Sequence, residues 1–180
     1  MYRGRETYPF TLQNEEGIMP TTTANLNMTM GTDSSSAPLL HEILTKVNNA
    51  KDKPAKIAVL KKNDSVPLRQ VLKGAFDPNI KWALPEGTPP YKENDAPAGT
   101  EHTTLFTEAR RLWHFVEGAD QKLSKTKKEM MFIQLLEGLH KDDAALMVAV
   151  KDKALNKKYK GLTDAVVKEA FGWNSDYKTS

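Results

Sequence analysis

The chain has 180 residues, of which 39% are hydrophobic and 27% are charged, so it carries enough apolar material for a folded core. It contains no cysteine, which excludes disulfides, thiol nucleophiles and cysteine-ligated zinc. No apolar run approaches the roughly 20 residues that a membrane helix needs, and the formal net charge is only +3.

The charge is unevenly distributed along the chain. Residues 41–73 contain eight Lys or Arg against three acidic residues, a local charge of +5. Residues 77–108 contain two lysines against six acidic residues, a local charge of −4. Because salt screens charges beyond about 8–10 Å, local charge decides which partners are attracted. The first segment therefore favours an acidic partner, and nucleic acid is the leading one.

The first 36 residues are polar and predict a flexible N-terminal tail. Within them, the run Glu15-Glu16-Gly17-Ile18 is what a purine-rich ribosome-binding site can encode, directly ahead of Met19. A translation start at Met19, Met28 or Met30 is therefore an alternative to an ordinary tail.

A single helical domain is predicted over residues 37–173, and its first part, 37–76, reads as a module of three short basic helices. The first helix is predicted to start near Ser36 with Pro38 in its first turn. Asp52 and Ser65 are favourable N-caps for the second and third helices. Each is followed by a proline in the first turn, where proline is tolerated.

Residues 77–103 form a long Pro-rich connection. A loop of this length in a compact domain is usually functional or wraps over the surface. Trp82, Leu84 and Tyr91 are large apolar residues spaced along it, and they have two interpretations. They pin the loop to the helical body, or they are exposed and anchor a protein partner.

The second half, residues 104–173, is again helical, and residues 174–180 are predicted to be a C-terminal tail. Trp113 is expected on the apolar face of a helix that opens at Thr103 or Thr104. Thr126 and Glu129 have the spacing of a capping box ahead of Met130. The segment 144–150 is apolar on all sides and predicts a central helix. The predicted fold is all-α, a compact bundle of six or seven short helices.

The motifs of common enzyme classes are absent, including the phosphate-binding loop, the dinucleotide glycine fingerprint, the zincin helix and the nucleophile elbow. None of the four histidines pairs with another at helical spacing. Asp142-Asp143 is interpreted as a helix start that favours the macrodipole. Glu137 and His140 have di-iron spacing, but the motif lacks its second copy. No catalytic residue, metal site or cofactor is predicted, and a small-molecule substrate is not expected.

The basic clusters are the sites that suggest a partner. Lysine is a compact cation that contacts phosphate without reading base edges. The lysines of the second helix are expected to face solvent. The residues predicted to bind nucleic acid are Lys51, Lys53, Lys56, Lys61, Lys62, Arg69 and Lys73. Further basic groups lie at Lys122 to Lys128 and Lys151 to Lys160. Near these clusters, only three aromatic residues are candidates for base stacking: Phe76, Trp82 and Tyr159. So few aromatic residues disfavour recognition of single strands by stacking.

Two resemblances can be read from the residues. Four segments carry the first: LLHEILTKVNNAKDKPAKIAVLKKNDSVPLRQVL, LPEGTPPYKENDAPAGTEHT, LWHFVEGADQKLSKTKKEMMFIQLLEGLH and LTDAVVKEAFGW. They resemble an uncharacterised family of short proteins encoded by tailed, myovirus-type phages of marine cyanobacteria. The resemblance covers most of residues 39–173. It implies a phage protein that works in the cytoplasm of an infected bacterial cell, but no function.

A second resemblance covers residues 39–76 and is carried by Leu40, Ile43, Leu60, Asn63, Leu68 and Val71. This segment is similar to the start of the helical DNA-binding domain of phage-type ATP-dependent DNA ligases. It implies that Lys53, Lys56 and Arg69 lie near the DNA minor groove. The chain has no nucleotidyltransferase domain, so ligation itself is not implied. The leading hypothesis is a non-catalytic accessory protein that binds nucleic acid during replication, repair or transcription. A protein–protein adaptor or inhibitor that uses the Pro-rich loop and a minor virion component are the alternatives.

Overall fold

The computed structural model describes residues 38–97 and 101–179, so the predicted tail over 1–36 and the alternative start sites lie outside it. The described part is all-α, as predicted, with eight α-helices, one 3-10 helix and, in place of strands, two isolated β-bridges. The helices are α1 Leu40–Asn49, α2 Lys53–Lys62, α3 Val66–Phe76, α4 Leu105–Glu108, the 3-10 helix Ala109–Phe115, α5 Lys125–Gly138, α6 Lys141–Lys151, α7 Leu155–Lys158 and α8 Asp164–Phe171.

The start signals predicted for the second and third helices are confirmed. Asp52 Oδ1 accepts a hydrogen bond from Ala55 N at 2.9 Å, and Ser65 Oγ accepts one from Leu68 N at 3.2 Å. Each cap satisfies one of the amides that a helix start leaves unpaired. Helix α1 was predicted too early. It begins at Leu40, because Leu39 still has an extended backbone.

Helix α6 is central, as its apolar composition predicted. It packs against α1, α3 and α5, while α2 packs against both α1 and α8. Leu146, Met147 and Val150 on α6 are fully buried. These packings bury the apolar faces of six helices in one core and bring the start of α6 next to the start of α1.

The segment expected as one α-helix from Thr104 changes type after one turn. Thr104 caps α4, and the chain then continues as the 3-10 helix. A 3-10 helix repeats every three residues, so Ala109, Leu112 and Phe115 face the core together. Trp113 does not follow this spacing. Its predicted burial is wrong, because 49% of its surface is exposed.

Helix α5 begins two residues earlier than predicted. Ser124 Oγ accepts from Lys127 N at 3.2 Å, so Ser124 is the N-cap and the capping box of Thr126 and Glu129 does not form. The buried stripe of α5 accordingly runs through Phe132, Leu135 and Leu136. Met130 is 53% exposed, in contrast to the prediction.

The C-terminal residues fold back onto the body. Asn174 N donates to Lys178 O at 2.9 Å, and Tyr177 is buried with its hydroxyl on the carboxylate of Asp164. The residues expected as a tail from 174 therefore form part of the surface beside α3 and α8. No helix in the described ranges is long and apolar enough to cross a membrane.

Candidate nucleic-acid interface

Three of the seven basic residues predicted to bind nucleic acid are engaged within the protein. Lys53 Nζ lies 3.0 Å from Glu169 Oε1, an ion pair between exposed side chains of α2 and α8. Lys56 and Arg69 make closer contacts, described below. Lys51, Lys61 and Lys62 are exposed on α2 and its leading turn. The face proposed from sequence is thus divided between free and occupied cations.

The expectation that Lys56 faces solvent is wrong. Its Nζ donates to Ala50 O at 2.7 Å and to Val47 O and Asn48 O at 3.3 Å each. These carbonyls lie at the end of α1, where a helix leaves its last carbonyls unpaired and carries partial negative charge. Lys56 therefore closes the C-terminus of α1.

Arg69 is bound to Asp64 through two hydrogen bonds of 2.6 Å, from Nε and from Nη2. Its guanidinium also lies 5.0 Å from the ring centre of Phe171. The hydrogen bond from Arg69 lowers the pKa of Asp64, and the same bond raises the pKa of Arg69. Arg69 keeps a partly exposed edge, but much of its charge is balanced.

Two neighbouring clefts border α3 and share Gln70 and Lys73. The first is lined by Val66, Arg69, Gln70 and Lys73 of α3 and by Trp173, Tyr177, Lys178 and Thr179. The second is lined by Gln70, Lys73, Gly74, Ile80, Trp82, Ala109, Arg110, Leu112, Trp113 and Val116. Among the described residues, no Asp or Glu lines either cleft. We call this surface, with its cations Arg69, Lys73, Arg110 and Lys178, the α3 face.

Trp113 is the most exposed aromatic side chain of the α3 face. One side of its ring is covered by His114, with ring centres 4.0 Å apart. His114 is in turn held by Asp120, whose Oδ2 lies 2.7 Å from Nδ1, and this hydrogen bond lowers the pKa of Asp120. Trp113 thus stands on a fixed support while it lines the second cleft. A flat aromatic surface among cations is suited to stacking a nucleobase.

The aromatic residues considered from sequence are not available in this way. Phe76 is half-buried, Tyr159 is buried, and Trp82 is packed on the core with Nε1 donating to Gly74 O at 3.0 Å. Sequence reasoning missed Arg110 and Trp113. The available signal was the run Arg110-Arg111-Leu112-Trp113, where cations directly precede an aromatic residue.

The three residues predicted as partner anchors, Trp82, Leu84 and Tyr91, are partly buried against the core rather than exposed. The loop that carries them is fixed by Lys151, whose buried Nζ donates to Pro85 O at 2.8 Å and to Gly87 O at 2.9 Å. These contacts support the interpretation in which the apolar residues pin the loop. Their role in binding a partner stays a prediction.

Two of the histidines and both acids of the Asp142-Asp143 pair meet at the starts of α1 and α6. Asp142 and Asp143 lie in the first turn of α6, and His140 is its N-cap. Both acids are at the helix start, as predicted, but Asp143 is buried. It is 1% exposed and accepts hydrogen bonds from His41 N and His41 Nδ1, both at 2.9 Å. Burial lowers the pKa of His41, but the hydrogen bond and charge of Asp143 outweigh it, so the pKa is raised above 6.5.

The fold and the α3 face define a small all-α protein with a basic surface that contains exposed tryptophan. The chain belongs to a family of unknown function, DUF6433, whose model matches residues 43–157. This range includes Arg69, Lys73, Arg110 and Trp113, whereas Trp173 and Lys178 lie beyond it. No curated protein and no solved structure shows significant similarity to the chain.

Proposed function

We propose that this protein is a non-catalytic phage accessory protein that binds nucleic acid through the α3 face. It would act in replication, repair or transcription in the cytoplasm of the infected cell. The observation that carries the proposal is the pair of clefts that share Lys73, hold four cations and are lined by no described carboxylate. The phage context rests on the sequence resemblance.

The physical basis is phosphate neutralisation. Cations that contact phosphates release condensed counterions, so such binding is strong at low salt and weakens steeply as salt rises. Lys73 lines both clefts, whereas Lys178 lines the first and Arg110 lines the second. A nucleic-acid backbone that crosses α3 would meet all three cations.

The arrangement supports a different surface from the one expected from sequence. Lys56 and Arg69, two of the residues that the ligase likeness would place near the minor groove, already have partners in the protein. Substituting them would disturb the fold as well as any binding. Lys73 is the member of the predicted set that belongs to the α3 face and has no such contact.

The test is fluorescence anisotropy of the full chain with labelled single-stranded, duplex and nicked DNA at about 50 and 200 mM salt. Binding is expected to weaken by orders of magnitude between these salts. Lys73→Glu with Arg110→Glu should remove most of the binding at 50 mM. The double variant Lys61→Glu with Lys62→Glu makes the same charge change on α2. The two double variants therefore compare the α3 face with the surface that was expected from sequence.

A third pair, Lys157→Glu with Lys158→Glu, is the control for net charge, because both lysines are exposed on α7. If the α2 pair loses more than the α3 pair, the interface is the one expected from sequence. If all three pairs lose equally, binding reflects overall charge. No binding of any DNA at 50 mM would refute the proposal.

The second candidate is an adaptor or inhibitor that uses the Pro-rich loop. Its support is a cleft between this loop and α5, lined among others by Leu84, Pro90 and Ile133. Capture of a host or phage protein should then survive high salt and fail in Ile133→Asp, a variant outside the loop anchors. A role as a virion component requires the protein in purified particles, which mass spectrometry can establish.

A further inference from the structure

We propose that His41, His140 and Asp142 form a binding site for a divalent transition-metal ion, with Zn²⁺ as the representative ion, and that Asp143 is the positioning residue behind His41. This site is separate from the α3 face, and its test does not depend on nucleic-acid binding.

The fold brings together ligand types that are far apart in the sequence. The potential ligand atoms of the three residues all lie within 4.8 Å of one another. His41 Nε2 is 3.7 Å from Asp142 Oδ2, and His140 Nδ1 is 3.8 Å from the same oxygen. Two imidazoles with one carboxylate are a ligand set that suits zinc and related divalent ions.

Asp143 sets the tautomer of His41. Its Oδ1 receives the backbone N–H of His41 and lies 2.9 Å from Nδ1, so the ring donates its Nδ1 proton there. In the neutral ring, Nε2 then carries the lone pair, and it lies 3.7 Å from Asp142 Oδ2. A histidine whose second nitrogen donates to a carboxylate is the usual arrangement around protein-bound metals. Since Asp143 is buried, this orientation is rigid.

The ion would require a small, specific rearrangement. Zn–N and Zn–O bonds of about 2.0–2.2 Å place tetrahedral ligand atoms about 3.3–3.5 Å apart. The distances of 3.7 and 3.8 Å to Asp142 are therefore slightly wide. The rings of His41 and His140 stack at 15°, so His140 must turn for both lone pairs to converge. That turn gives up the hydrogen bond of 3.1 Å from Asp142 N and the stacking of the two rings.

The site would join the starts of two helices and remain open on one side. His41 belongs to α1, whereas His140 and Asp142 belong to the start of α6. The carboxylate of Asp142 is 54% exposed, which gives the ion a path from solvent and leaves a fourth position for water. Metal that binds the folded state alone must raise its stability.

The test is titration of the full, tag-free chain with Zn²⁺ by calorimetry, with Co²⁺ as a spectroscopic probe and thermal unfolding as a second readout. One equivalent should bind, Co²⁺ should show visible bands of a four-coordinate site, and Tm should rise by roughly 5–10 °C at a hundredfold excess over Kd. Asp142→Ala and His140→Gln should abolish these signals.

Control variants separate this site from adventitious binding. His114→Gln removes a histidine that also has an aspartate partner and should leave binding unchanged. Asp143→Asn should weaken Zn²⁺ by about 10–100-fold while leaving the Co²⁺ site four-coordinate. Asp142 is exposed, so its variant should fold even where a histidine variant does not. Absence of Zn²⁺ binding at 100 µM, or binding unchanged in Asp142→Ala and His140→Gln, would overturn the proposal.

Discussion

Gly74 and Trp82 are packed so closely that a Cβ atom on Gly74 would lie 2.7 Å from Cζ2 of the Trp82 ring. The same pair is joined by the hydrogen bond from Trp82 Nε1 to Gly74 O. The indole therefore rests directly on the backbone of α3. This contact fixes the beginning of the Pro-rich loop and forms part of the second cleft of the α3 face.

We expect Gly74→Ala to destabilise the protein by about 1–3 kcal/mol, because the added methyl group overpacks against the indole. Helix propensity alone predicts the opposite sign, a gain of about 1 kcal/mol for alanine inside a helix. Urea unfolding of the two proteins measures the difference. A double-mutant cycle with Trp82→Leu provides the control, since the cost should shrink once the ring is gone. A more stable Gly74→Ala variant would contradict the packing.

Lys56→Met should lower the free energy of unfolding by about 1–3 kcal/mol. The variant keeps the apolar stem but removes the ammonium that three carbonyls at the end of α1 share. Lys61→Met, on the exposed side of the same helix, is the matched control and should change stability by less than about 0.5 kcal/mol. Equal effects of the two substitutions, measured by chemical denaturation, would argue against a structural role for Lys56.

Lys151→Met should loosen the Pro-rich loop before it affects the rest of the fold. The ammonium of Lys151 is buried and also contacts Asp152, whose carboxylate accepts from Gly87 N at 3.2 Å. Removing one member of a buried charged network typically costs about 3–5 kcal/mol. Hydrogen exchange should report faster exchange at Gly87. The control is Lys157→Met, because Lys157 is exposed. Lys153→Met is unsuitable as a control, because Lys153 Nζ donates to the carbonyls of Gly74 and Asp77 at 2.8 Å each.

Tyr159 should make the folded state sensitive to alkaline pH. Burial raises its pKa to about 12; a hydrogen bond with Thr45 opposes this, and the charges of Asp143 and Asp142 add to it. In the unfolded chain the tyrosine hydroxyl ionises near pH 10. The free energy of unfolding therefore falls as the pH rises from about 10 towards 12, by up to about 1.4 kcal/mol per pH unit. Denaturation at pH 9 and pH 11 should show a smaller loss in Tyr159→Phe. An identical loss in both proteins would exclude this role.

The salt dependence of DNA binding should count the cations of the α3 face. Because Arg69 is already paired with Asp64, three phosphate contacts, from Lys73, Arg110 and Lys178, give a slope of log K against log salt of about −2 to −3. Lys73→Met should reduce its magnitude by about one, as expected for a residue that contacts one phosphate. Lys62→Met, on the end of α2, is the comparison on the face expected from sequence. A slope that changes for Lys62 and not for Lys73 would place the contacts on α2.

Local sequence signals were sufficient for most of the helices. Asp52 and Ser65 act through hydrogen bonds to amides three positions away, so their capping roles can be read from neighbouring residues alone. The all-apolar stretch of α6 likewise predicted its central position. At the start of α5 the local signal misled, because the predicted capping box of Thr126 and Glu129 does not form and Ser124 is the N-cap.

The residue types in the sequence established an all-α fold without cysteine chemistry and with many surface lysines. The roles of those lysines and of the histidines depended on the tertiary structure. Lys56 and Lys151 are used to satisfy carbonyls, Lys73 stays on an open face, and His41 meets Asp143 across 102 positions of sequence. The physical reason is distance: caps and helical faces arise within a few residues, whereas these contacts exist only after the helices have packed.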